Sequence, residues 1–174
     1  MFKCDECGFD ASTLDDAALI DAIASQPKRY RAPLTRFLPN EDGDALLRRR
    51  PAPDVWSALE YAAHQRDTIA FYGTRIEMIL TTDRPQLLPI DPDAEAIAGD
   101  YNALDPVTVA DAIAEGATSV AARLSTIAAD DWERVGIAID GSSERDVRNC
   151  ARRLAHEGGH HLLDIGRSLR AARS

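Results

Sequence analysis

Apolar residues in the last third of the chain recur at three- and four-residue intervals. Wound at about 100° per residue, Val147, Cys150, Ala151, Leu154, Gly158, Leu162, Ile165 and Leu169 fall on one stripe. They predict a long amphipathic helix that starts around Gly141 to Ser143 and reaches about Leu169. Three earlier segments carry the same signal. The first starts near Thr13 or Leu14, where Asp15 and Asp16 suit the positive end of a helix. It runs through Leu19, Ile20 and Ile23 to about Leu38, with a kink or break at Pro27. The second opens on a capping box of Ser57 and Glu60 and continues to about Leu80. The third takes Asp105 as its cap and Pro106 as its first residue, and runs to about Ile127.

Between these helices the signals are weaker. Residues 39–53 are turn-like, with room for a short helix from Asp44 to Arg50. Residues 83–105 combine prolines with aspartates and predict a long, partly irregular connection. Asp130, Asp131 and Trp132 suggest one short turn, and Val135 to Asp140 reads as extended. The expected fold is therefore all-α: a four-helix up-and-down bundle over residues 13–172, with room for a crossover in the Pro-rich stretch. A polar arm, residues 1–12, precedes it and carries Cys4 and Cys7.

Composition narrows the function. The 174 residues suit one domain. Hydrophobic residues make up 45% but aromatics only 6%, which favours tight helix packing over a β-sandwich. Twenty Lys and Arg against 29 Asp and Glu give a net charge of −9, which repels phosphate backbones and argues against a nucleic-acid partner. The run Arg48, Arg49, Arg50 reads as a solvated helix end. No apolar run is long enough for a bilayer, and the polar start does not resemble a signal peptide. A cytoplasmic protein is expected, without a membrane partner, whose three cysteines form no structural disulfide.

The candidate chemistry lies in the histidines. His156 with His160, and Glu157 with His161, each have the i,i+4 spacing that places two ligands on one helical face. Helical phase separates the pairs. Glu157 and His161 lie on the edge of the apolar stripe, whereas His156 and His160 lie nearly opposite, with Arg153. A metal inside a bundle needs inward ligands, so Glu157 and His161 are favoured and His156 and His160 are expected nearer solvent. His64 is the third candidate, on a face of the second helix with Tyr61, Thr68, Phe71 and Tyr72. Two imidazoles and a carboxylate leave a fourth position for water, as in catalytic zinc sites. Asp164 follows His161 by three residues and can orient an imidazole N–H. The Cys4 and Cys7 pair has half of a zinc site's donors. It can serve as a redox pair, as a half-site completed by a partner chain or a histidine, or as an arm folded over the metal mouth.

The stretch from Trp56 to His64, and that from Glu157 through His161 to Asp164, resemble the DinB-like family of four-helix bundle metalloproteins. Arg50 to Trp56 and Asp130 to Trp132 share the likeness, which spans roughly residues 14 to 170. The ligand pattern is similar to a branch that includes mycothiol-dependent maleylpyruvate isomerase, with His, Glu, His and an Asp three residues beyond. Mapped by position, this resemblance implies His64, Glu157 and His161 as ligands of a divalent metal, zinc by ligand chemistry, with Asp164 behind them. It also implies a low-molecular-weight thiol such as mycothiol, or a water, as the group activated. The expectation is a metal-dependent thiol transferase or isomerase acting on a small molecule; the resemblance and bundle geometry also admit a homodimer. The alternative is a metal- or redox-responsive binding protein in which Cys4 and Cys7 close the metal shell without catalysis. A third reading is a bundle whose histidines are incidental.

Overall fold

The computed structural model describes residues 2–141 and 143–174. Its helices are α1 (Asp16–Ala24), α2 (Gln26–Thr35), α3 (Gly43–Arg48), α4 (Ala58–Thr81), α5 (Pro92–Ala98), α6 (Pro106–Leu124) and α7 (Val147–Arg173). Side-chain caps start the long ones, at Ser57 and Asp105 as expected and at Asp15 just beyond the expected start near Thr13 or Leu14. Asp15 accepts from the Ala18 amide, Asp105 from that of Thr108, and Ser57 and Glu60 form the reciprocal capping box. The first long segment breaks at Ser25, and α2 resumes with Pro27 in its first turn, where a missing N–H costs nothing.

Four columns make the bundle: α1 with α2, α4, α6 and α7. Around the ring, α1 and α2 pack on α6 and α7, and α4 packs on α6 and α7. The α4 column therefore stands diagonal to α1 and α2, which departs from a simple up-and-down ring. Both the stretch before α4 and the stretch before α7 cross a diagonal. Among the most deeply buried side chains are Leu19, Ile23, Tyr30, Leu59, Ile69, Ile76, Ile113, Leu124 and Leu154.

The last helix starts later than its pattern suggests. Residues 144–146 pair antiparallel with Val135–Ile137, and Gln86–Leu87 pairs parallel on the other side, forming a small three-stranded sheet. Backbone pairing claims these residues, so α7 begins at Val147 with Asp146 capping the Asn149 amide at 2.5 Å. Ser142, part of the expected start, lies outside the described residues. The arginine run is also not merely solvated. Arg48 reaches the Leu104 carbonyl at 3.1 Å, Arg49 the Ala172 carbonyl at 2.8 Å, and Arg50 the Glu60 carboxylate at 2.9 Å. These guanidiniums tie α3 and the following loop to the bundle ends, because unpaired carbonyls there need donors. Among the described residues no helix is long and apolar enough to cross a membrane.

Candidate metal centre

Because α4 lies along α7, it brings His64 against the last helix. His64 is buried, and Glu157 and His161 are half-buried beside it. Each offers a ligand atom within 4.8 Å of the other two. The His64 and His161 rings meet edge to face, with centroids 4.8 Å apart. On one side of its ring, His161 holds Nδ1 3.1 Å from Asp164 Oδ2. On the other, Nε2 lies 3.1 Å from Glu157 Oε2 but out of line for a hydrogen bond, and this buried atom has no hydrogen-bond partner among the described residues. An imidazole anchored by a carboxylate at one nitrogen, with the other free beside further donors, fits a metal ligand.

Aromatic rings wall this cluster. Tyr61 stacks on His161 at 5.6 Å, and Trp56 stands against His64 at 5.3 Å. Thr68 Oγ1 lies 3.3 Å from His64 Nε2. The α7 backbone is fixed from α2, where the Tyr30 hydroxyl donates to the Gly158 carbonyl at 3.1 Å. Gln65 Nε2 donates to Gln26 Oε1 at 2.9 Å, linking α4 to α2 beneath the site. A Cβ on Gly158 would stand 2.3 Å from Gln26 Nε2, so a side chain at this position would displace the Gln26 amide from its bonds to the Leu154 carbonyl and Gln65.

The charges are unequal. Burial, followed by the neighbouring His161 cation, pushes His64 down to about 4, so it is neutral at pH 7. Burial also disfavours the His161 cation, but the Asp164 and Glu157 carboxylates outweigh it and raise this group to about 9. Burial works against the Glu157 anion too; the hydrogen bond from His156 and the adjacent charge of His161 overcome it and hold the carboxyl well below its usual range. Two hollows of about 490 and 640 Å³ lie elsewhere on the bundle, the first beside Phe71 and Arg75, the second beside Glu60 and Tyr101. Neither is lined by the three candidate ligands, although Trp56 borders the second.

The remaining expected site residues fall out as follows. Asp164 lies behind His161. Tyr61 faces the cluster through its stack on His161. Cys150 is buried. His156 and His160 do lie on a different face from the core cluster, but they are not near solvent: His156 is buried and His160 half-buried. The N-terminal arm covers them. Cys4 and Cys7 accordingly do not complete the His64 cluster; their thiols meet His156 and His160 on the other face of α7. Helical phase alone could not anticipate a covering segment 150 residues away in sequence. The available signal was numerical: two thiols at one end of the chain and two imidazoles without a role at the other.

Residues 20–165 match the DinB superfamily. The chain belongs to the DinB superfamily. Among solved structures this DinB chain resembles YfiT from Bacillus subtilis, with a TM-score of 0.79 and 18% identity over 89% of this chain and 86% of that one. YfiT is described as "a probable metal-dependent hydrolase with an unusual four-helix bundle topology". At this identity the likeness establishes the DinB-like bundle alone. Among curated proteins, none matches the chain.

Proposed function

We propose that this chain is a metal-dependent enzyme in which His64, Glu157 and His161 hold one divalent ion, zinc by donor preference, and that its reaction is transfer to or from a low-molecular-weight thiol such as mycothiol. The convergence of three donors from two helices carries the reading, supported by the buried Nε2 of His161, which has no hydrogen-bond partner among the described residues. Two nitrogens and a carboxylate oxygen match zinc and leave one tetrahedral position for an outside ligand. When bound, the ion would supply Lewis acidity, lowering the pKa of a thiol or water in that position.

The protein's own groups divide the remaining work. His64 arrives neutral, with a lone pair to give. His161 must surrender a proton before it can coordinate, and Asp164 then holds its Nδ1–H and fixes the ring. Trp56 and Tyr61 exclude water from one side of the cluster. The thiol assignment rests on the His, Glu, His and Asp pattern of the isomerase branch. A second reading, hydrolysis by an activated water, is favoured by the description of YfiT.

Zinc-loaded protein assayed with mycothiol and electrophilic acceptors, and in parallel with ester and amide substrates, separates the two. Thiol consumption that stops in His161→Ala supports the first reading. Turnover without thiol, equally sensitive to that substitution, selects the hydrolase. Activity unchanged by loss of all three ligands rejects both.

A further inference from the structure

The arm folds as a tight knuckle. The Gly8 amide donates to the Cys4 carbonyl at 2.9 Å, and the Cys4 amide donates to the Phe9 carbonyl at 2.9 Å. Gly8 sits at φ +73°, a conformation that glycine adopts without steric cost. Lys3 pairs with Asp10 across the base of the turn at 2.6 Å. Phe2 and Phe9 stack on one another at 5.4 Å, and both meet the His156 ring edge to face, at 5.2 and 5.4 Å. Glu6 forms an ion pair with Arg167 of α7. Residues 2–12 are thereby held with both thiols over one turn of the last helix.

Four donors meet there. A ligand atom from each of Cys4, Cys7, His156 and His160 lies within 4.8 Å of the other three. Cys4 Sγ is 3.6 Å from His160 Nδ1. In a tetrahedral zinc site with Zn–S near 2.3 Å and Zn–N near 2.05 Å, the sulfur–nitrogen edge is about 3.6 Å. Carboxylates stand behind both imidazoles, hydrogen-bonded to His156 and within 3.6 Å of His160. His156 gives Nδ1 to Glu157 Oε1 at 3.1 Å, leaving its buried Nε2 without a hydrogen-bond partner among the described residues. His160 turns Nε2 towards Glu6 Oε2 and Asp164 Oδ2, each 3.6 Å away. A bare redox pair of cysteines would have no need of two imidazoles oriented by carboxylates.

We propose that Cys4, Cys7, His156 and His160 form a second metal site, a closed zinc centre of two thiolates and two imidazoles that pins the N-terminal arm to α7. Four protein donors leave no open position, so this centre is structural rather than catalytic. It is separate from the His64 site in every donor, and neither depends on the other for its ligands.

The test uses the full chain, purified without chelator and loaded with cobalt(II) or zinc. In a His64→Ala/His161→Ala variant, about one metal per chain should remain, and the cobalt form should show strong sulfur-to-metal charge-transfer bands. Those bands should vanish in Cys4→Ser/Cys7→Ser and in His156→Ala/His160→Ala, with metal falling to less than about a tenth of an equivalent when either pair is added to the His64→Ala/His161→Ala background. Native thiol titration gives a readout that does not depend on a variant folding: two thiols should be protected in zinc-loaded protein and released by chelator. Bands that disappear in His64→Ala/His161→Ala would place the thiols on the core metal and overturn the proposal. So would bands that survive without His156 and His160, a Cys4–Cys7 disulfide in protein purified under reducing conditions, or failure of zinc to protect any thiol.

Discussion

Glu157 accepts a hydrogen bond from His156 Nδ1 through Oε1 at 3.1 Å, while its Oε2 stays beside His161. One carboxylate thus stands between the core cluster and the cluster beneath the arm. Asp164 repeats the arrangement about two turns later, with Oδ2 at 3.1 Å from His161 Nδ1 and 3.6 Å from His160 Nε2. The two faces of α7 share their acids even though they share no imidazole. Glu157→Gln should therefore remove the core metal outright and only weaken the arm metal. Zinc competition with a chromophoric chelator should show the arm affinity reduced by roughly 10-fold or more, within the range for loss of an outer partner.

Asp164→Asn keeps the shape of the side chain but removes its charge. With His161 less firmly oriented, zinc affinity at the core site should fall about 10–100-fold while the fold persists. Titration in a Cys4→Ser/Cys7→Ser background isolates this site. Unchanged affinity would remove Asp164 from the positioning role.

The metal-free core site should respond to pH in a defined direction. His161 is raised from 6.5 to about 9, so its charged form stabilises the fold fully below about pH 6.5, and that contribution is lost as pH rises through 9. The thermal midpoint of metal-free protein should decline between pH 7 and 9.5, with a smaller decline in His161→Gln. Metal affinity should move the opposite way over the same window, because the competing proton leaves.

Two adjacent glycines make an internal control for packing beneath the site. An alanine at 158 drives its Cβ into the Gln26 amide, whereas nothing lies within 4 Å of a Cβ at 159. In urea unfolding of metal-free protein, Gly158→Ala should cost about 1–3 kcal/mol. Gly159→Ala should be neutral or stabilise by up to about 1 kcal/mol, as a helix-interior glycine replaced by alanine.

Cys150 offers a check on the third thiol. Burial among apolar neighbours pushes it up to about 12, so little thiolate exists at neutral pH. Iodoacetamide at pH 8 should leave Cys150 unmodified in folded protein, as read by peptide mass spectrometry, and modify it once the chain is unfolded.

The helices were legible because their signals are local. Ser57 with Glu60, Asp105 with Pro106, and the stripe from Val147 to Leu169 each operate within a few residues, and the bundle uses them as read. The phase argument also separated Glu157 and His161 from His156 and His160, and the two pairs do occupy different faces. Long-range pairings were not legible. The strand of residues 144–146 exists only because Val135–Ile137 lies beside it, and Arg48 and Arg49 find carbonyl partners far along the chain. Burial of His156 depends likewise on Phe2 and Phe9, which no periodicity connects to it.

The core site is tested most directly by the zinc content of the Cys4→Ser/Cys7→Ser protein, measured by plasma mass spectrometry without chelator, alone and with His64→Ala, Glu157→Ala or His161→Ala added. About one zinc per chain in the parent, lost together with activity in each of the three variants, is the predicted result. A parent that holds no zinc and takes up none on addition, or variants that keep it, would contradict a catalytic metal at His64, Glu157 and His161.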